Sequence, residues 1–265
     1  MKLHSRMTEV TPERAAESNL ERLFQLDYER IRTFVKSYIK ADSDGLEEIY
    51  SSAVKREVPV IREDTRDYLR LLLNQTKPGN ILEIGTAVGY SALFMAEVLD
   101  DIYEGHGTDC PIEDLSWRID TIELDDERAD EAEKHFRDFG RQDHIRLMRG
   151  DAAAILSDMV KKCEKAEKPH KNSKYDFVFI DAAKAQYMNY LKHVMKLVSA
   201  GAVIVTDNVL ESGLVLESHF LVEKRDRTIH DKLREYLYTL KNDERLETAI
   251  LSIGDGVAVS VVKKI

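Results

Sequence analysis

The sequence predicts an α/β fold, a doubly wound and mostly parallel sheet with helices on both faces. Three observations carry that expectation. From Asn80 onward, short apolar runs alternate with stretches of helical period, the pattern of repeated βα units. Successive apolar runs end on an acidic residue or a glycine, at the strand ends where an open parallel sheet gathers its ligands. The last two runs, TAILSI and VAVSVVKK, flank a GDG turn at Gly254–Gly256, which adds an antiparallel hairpin.

Taken in order, the first 20 residues are polar and expected to fray. Leu20–Ile39, LERLFQLDYERIRTFVKSYI, has apolar residues three and four apart and predicts an amphipathic helix. A second helix is expected over Gly45–Arg56, and a third over Asp64–Gln75, stopped by the KPGN turn around Pro78 and Gly79. Strand and helix then alternate: NILEIG with SALFMAEVL, RIDTIEL with ERADEAEKHFRDFG, HIRLMRG with AAAILSDMVKK, and YDFVFID with MNYLKHVMKLV. GAVIVTDN follows, then a long helix near Arg227–Lys241. Tyr103–Trp117 and Lys161–Lys174 are low in apolar residues and read as surface loops. The expected division is an N-terminal helical extension, 1–57, and one α/β domain, 58–265.

Composition narrows the function classes. A hydrophobic content of 43% is enough for a substantial core. No apolar run is long enough to cross a bilayer, and the N-terminus lacks the apolar segment of a secretory signal, so no membrane partner is expected. Cys110 and Cys163 stand far apart in polar surroundings, which suits a reducing cytoplasm and offers neither a disulfide framework nor a zinc site. The formal net charge of −10 argues against binding nucleic acid through a broad basic surface.

The strand ends carry the candidate chemistry. In LEIGTAVGYSA, residues 82–92, Gly85 and Gly89 flank a turn where the backbone bends tightly and lets a ligand come close. This is neither GxGxxG nor a P-loop. Glu83 precedes the first glycine by two residues, and a carboxylate facing the crevice there would suit a cationic amine rather than a pyrophosphate. DTIELDD puts Glu123 at the next strand tip, where a carboxylate can take both hydroxyls of a ribose. RGDAAA puts Asp151 and Ala152 where an adenine edge would be read. Each acidic end taken alone has a second reading as a helix cap.

LEIGTAVGYSA, TIELD, GDAAA, YDFVFIDAAK and VIVTDNVL resemble, in order and spacing, the motifs of class I S-adenosylmethionine-dependent O-methyltransferases. The subgroup is the metal-dependent one that includes catechol and caffeoyl-CoA methyltransferases, and the resemblance runs from about Val58 to the last residue. It implies a Rossmann-like sheet and S-adenosylmethionine as cofactor. It places Glu83, Gly85 and Ser91 at the methionine end, with Thr86 and Gly89 in the same turn, Glu123 on the ribose and Ala152 with Asp151 at the adenine. Ile61 matches another cofactor contact. Asp181 borders the cofactor and, with Asp207 and Asn208, supplies oxygen ligands of the kind a hard divalent cation such as Mg²⁺ takes. Lys184 matches the lysine that acts as general base in the catechol-type relatives, although Ala183 stands where DADK has its second aspartate. Asp181 and Lys184 are thus the expected catalytic pair.

Such a cation would lower the pKa of an acceptor hydroxyl and needs a second oxygen beside it. Two acceptor classes meet that requirement. One is a small catechol or hydroxycinnamoyl-type phenol. The other is 5-hydroxyuridine in the anticodon loop of tRNA, whose hydroxyl neighbours a carbonyl oxygen. IDAAKAQYMNYL, TDNVLESGLV and LSIGDGVAVSVVKK look closest to bacterial tRNA 5-hydroxyuridine methyltransferases. Within VEKRDRTIHDKLREY, Arg225 and Arg227 are candidate phosphate contacts, and Tyr187 or Tyr190 a candidate stacking platform. The competing reading of that segment is a solvated helix face balanced by Asp226, Asp231 and Glu235. The amphipathic N-terminal helices and the bacterial relatives imply a homodimer.

Overall fold

A computed structural model describes residues 28–104, 117–165 and 174–265. The expected frayed N-terminus and most of both polar insertions lie outside the described residues. The chain divides into two compact units, Met1–Lys40 and Ala41–Ile265. In the first, helix α1 spans Tyr28–Lys36.

The second unit begins before the expected boundary at 57/58, for two physical reasons. Helix α2 (Asp44–Lys55) sets Leu46, Ile49 and Ala53 into the core. Just ahead of it, the fully buried Asp42 carboxylate accepts from Arg66 at 2.5 Å, Arg70 at 2.8 Å and the Tyr90 hydroxyl at 2.6 Å. A buried carboxylate is tolerated only with such donors around it, so this segment is part of the fold and not an appendage.

Helix α3 (Glu63–Thr76) leads into a seven-stranded sheet of order β3-β2-β1-β4-β5-β7-β6. The strands are β1 (Asn80–Ile84), β2 (Arg118–Glu123), β3 (Ile145–Arg149), β4 (Tyr175–Ile180), β5 (Val198–Thr206), β6 (Leu246–Leu251) and β7 (Val257–Val262). The first five are parallel, and β7 runs antiparallel between β5 and β6. The crossover helices are α4 (Tyr90–Glu104), α5 (Asp126–Asp138), α6 (Ala152–Lys165), α7 (Tyr187–Leu197) and α8 (Arg227–Asn242).

Alternation along each strand feeds two apolar layers. Ile81, Phe177, Phe179 and Val203 pack on the face of α2, α3 and α4, while Leu82, Val178, Ile180 and Ile204 pack on that of α6, α7 and α8. Strands covered on both faces read as nearly continuous apolar runs, which is why YDFVFI and VIV stand out in the sequence. The chain winds outward from β1 to β3 and then crosses back to β4, leaving a crevice beyond the strand ends at the reversal. Register levels those ends: Ile84 lies opposite Ile180, and Ile180 opposite Thr206. The β6–β7 connection, 252–256, is longer than a two-residue turn and closes with Gly256 N–H on the Ile253 carbonyl at 2.8 Å. Among the described residues no helix is long and apolar enough to cross a membrane.

Candidate active site

A cavity of about 510 Å³ opens beyond the strand ends, walled by residues from Pro59–Arg62, the turn after β1, and the ends of β2 to β5. Ile61, Gly85, Thr86, Ser91, Glu123, Asp151, Ala152, Asp181, Lys184 and Asn208 border it, so most residues singled out in the sequence meet around one space.

On the β1–β3 side the backbone holds the carboxylates. Gly85 has φ +104°, and a Cβ there would lie 2.0 Å from the Asp181 carbonyl oxygen. Only glycine lets this turn approach β4 so closely. The turn delivers the Ala87 N–H to Glu123 Oε2 at 2.8 Å, while Glu123 Oε1 accepts from Leu124 and Asp125 at 3.0 and 2.9 Å. The carboxylate is thereby fixed at the wall. Asp151 caps α6 through the Ala154 N–H at 2.8 Å, so the cap reading holds for one of its oxygens while the residue still borders the cavity. Ile61 and Ala152 supply apolar wall.

Two expectations on this side need correction. Glu83 does not face the crevice: it is fully buried behind the wall, accepting from the Ser91 and Thr121 hydroxyls, and Thr121 pairs in turn with Thr86. Burial pushes its carboxyl up to about 7 against the downward pull of those hydroxyls. Gly89 does not border the cavity either; a Cβ there would meet Phe136 of α5 at 2.7 Å, so what comes close is a helix and not a ligand.

On the β4–β5 side the carboxylates are held by each other's neighbours. Asp181 follows β4 and Asp207 follows β5, the two joined in register by the Asp207 N–H on the Ile180 carbonyl at 2.9 Å. Asn208 has φ +58°, a left-handed conformation that asparagine tolerates, and its Nδ2 donates to Asp181 Oδ1 at 2.8 Å. Asp207 is 1% exposed, just behind that wall. Burial, and after it the negative charge of Asp181, push Asp207 up to about 8. Burial also raises Asp181, with the Asn208 amide and Lys184 drawing it back. Lys184 Nζ is ion-paired to Glu211 rather than to either aspartate. Two poorly hydrated carboxylates and an amide oxygen, with the nearby ammonium engaged elsewhere, are the donor set that suits a hard divalent cation.

The comparisons with known proteins agree with this geometry. The family model described as O-methyltransferase matches residues 36–265. The chain belongs to the O-methyltransferase family. It is 27% identical over 243 residues to a catechol O-methyltransferase of Niastella koreensis, covering 89% of this chain and 98% of that one. It is 29% identical to a caffeoyl-CoA O-methyltransferase of Populus kitakamiensis over 79% of this chain and 80% of that one. Among solved structures, the O-methyltransferase from Bacillus cereus in complex with SAH has the same fold, with a TM-score of 0.68 at 24% identity, over 88% of this chain and 97% of that one.

Placed in this O-methyltransferase, the residues proposed for RNA contact have other work. Tyr187 cannot stack on a displaced base: it is 1% exposed, donates its hydroxyl to the Asp207 carbonyl at 2.9 Å and packs edge-on against Tyr236. Arg225 is exposed but paired with Glu223 and Asp226. Arg227 donates to the Val222 carbonyl at 3.1 Å, and Lys232 to the Ala185 carbonyl at 3.1 Å. The basic segment thus fastens the chain around α8.

Sequence reasoning passed over two residues. Glu211, at φ +46°, supplies Lys184 with a carboxylate that Ala183 cannot. Asp255, in the GDG turn, accepts the Ser212 N–H at 2.6 Å and offers its carbonyl to the Leu210 N–H at 3.0 Å, fixing the segment that carries Glu211. Only the GDG wording hinted at it.

Proposed function

We propose that this chain is an S-adenosylmethionine-dependent O-methyltransferase whose acceptor is a small phenol with two adjacent oxygens, of the catechol or hydroxycinnamoyl type. The observation that carries the reading is the meeting, around one cavity, of the backbone-fixed Glu123 and glycine turn with Asp181 and Asn208, Asp207 lying buried just behind them. Relatives named catechol and caffeoyl-CoA O-methyltransferases support the acceptor class.

Glu123 would take the cofactor's ribose hydroxyls and the turn from Gly85 to Ala87 would hold its methionine end. Asp181, Asp207 and Asn208 would hold a divalent cation, which when bound makes the acceptor hydroxyl more acidic and fixes two of its oxygens. Lys184, once its ammonium has passed a proton to solvent, would accept the hydroxyl proton, and Glu211 would pair with the ammonium so restored. The cofactor, when bound, would supply a methyl group on a sulfonium, which the acceptor oxygen would take as the S–CH₃ bond breaks, leaving a neutral thioether.

The test is methyl transfer by the purified protein to catechol, caffeate and tRNA bearing 5-hydroxyuridine, each followed by mass spectrometry with and without EDTA. Metal-dependent gain of one methyl on a phenol is the expected result. Inertness toward every adjacent-oxygen phenol, with methylation of the tRNA, would replace the acceptor class.

A further inference from the structure

A second cluster lies where segment 217–222 folds onto α8. His219 Nδ1 and His230 Nδ1 approach the same Asp231 Oδ1 at 2.8 and 2.9 Å, and the three donor atoms lie within 4.8 Å of one another. The partners of His230 define what this group is. Its Nε2 is 3.1 Å from the Glu217 carbonyl oxygen. His230 is 1% exposed, and with its Nε2 against the Glu217 carbonyl its Nδ1 is aimed at the junction with His219 and Asp231. Two imidazole nitrogens and a carboxylate oxygen converge at that point, where a metal ion would be held by all three.

We infer that His219, His230 and Asp231 form a transition-metal site, separate from the acidic strand-end site, that takes Zn²⁺ or a similar ion. Two imidazole nitrogens and one carboxylate are zinc's ligand types, and they disfavour Mg²⁺. Neighbouring donors in a tetrahedral zinc site lie roughly 3.3 Å apart, given bonds of about 2.0 Å, so the two contacts to Asp231, at 2.8 and 2.9 Å, need only small adjustments. The Glu217 carbonyl on His230 Nε2 is the outer partner that orients such a ligand ring. His219 and Asp231 are 44% and 54% exposed, giving the ion an entry path and water a fourth position. The ion would clip segment 217–222 to α8.

The experiment uses untagged, EDTA-stripped, full-length protein dialysed against Zn²⁺ or Co²⁺ in excess Mg²⁺, which keeps the acidic site filled. One equivalent of Zn²⁺ retained, visible d–d bands with Co²⁺, and slower proteolysis within 217–222 are expected. His219→Ala, which alters a half-exposed ring, should abolish all three while leaving the metal-free melting temperature unchanged, and Asp231→Asn should weaken Zn²⁺ about tenfold or more. Equal Zn²⁺ retention by parent and His219→Ala overturns the inference. So does an NMR spectrum in which His230 keeps both ring protons in the presence of Zn²⁺.

Discussion

The two halves of the cavity handle negative charge in opposite ways. On the β1–β3 side, Glu123 rests on three backbone N–H groups and Asp151 on one. Those donors are fixed by the turn and the helix start, so the charge is balanced by the fold itself. On the β4–β5 side, Asp181 and Asp207 have an amide and a single neighbouring N–H between them, and burial drives both upward. The first half is finished as it folds. In the second, burial pushes both carboxylates toward the neutral form, and that contrast separates the half proposed to hold the cofactor from the half proposed to take a cation and activate the acceptor.

The comparison breaks most visibly at Asp207. Asp207→Ala should cut methyl transfer by about 1000-fold or more, while cofactor affinity measured by calorimetry changes little; equal losses in both would mean that the halves are not separable. Next is Gly85→Ala, which sets a Cβ against the Asp181 carbonyl at positive φ. It should destabilise by about 2–4 kcal/mol in urea unfolding and weaken both halves together, because Gly85 is their contact point. A smaller effect, confined to one half, is expected of Glu211→Gln: kcat falling roughly 10-fold to 100-fold with the cofactor KM unmoved. An unchanged kcat would separate Lys184 from its proposed partner.

Glu83 sharpens the comparison through pH. Its folded-state value, about 7, lies above its unfolded one, 4.5. Its contribution to stability is therefore fully present below 4.5 and lost as pH rises through 7, on the order of 3 kcal/mol. The melting temperature of Glu83→Gln should match that of the parent near pH 4.5 and exceed it increasingly up to pH 8. A constant offset across that range would mean that the carboxyl does not titrate there. The smallest effect belongs to Arg225→Glu, whose exposed guanidinium pairs with the neighbouring Glu223 and Asp226. Stability should stay within about 0.5 kcal/mol and turnover on a phenol within twofold; selective loss of activity on tRNA would restore the RNA reading.

Much of this was legible from strand ends, because a parallel sheet with covered faces leaves few other places for polar groups. Glu123, Asp151, Asp181 and Asn208 follow from that rule alone, and all border the cavity. Side-chain direction one or two residues further in was not legible. Glu83 sits within β1 and points at Ser91 of α4, and Tyr187 opens α7 facing inward beneath Asp207. The charge of VEKRDRTIHDKLREY was read from composition, whereas its use depends on carbonyls at 185, 215, 217 and 222 that only the folded loop brings near. Glu211 escaped notice for the same reason: its reach to Lys184 requires a left-handed backbone that no local pattern announces.

The place of β7 has a consequence for how the sheet is held together. It is flanked by β5 and β6, and its entry turn carries Gly256, where any Cβ would strike Leu210, and Asp255, which grips the Glu211 segment. Without residues 257–262, β6 would have no strand joining it to β5. The turn ahead of β7 is what grips the segment carrying Glu211, so that segment depends on β7 for its place. The strand next to the sheet's edge thus ties the outermost strand to the interior and the proton-relay carboxylate to the scaffold.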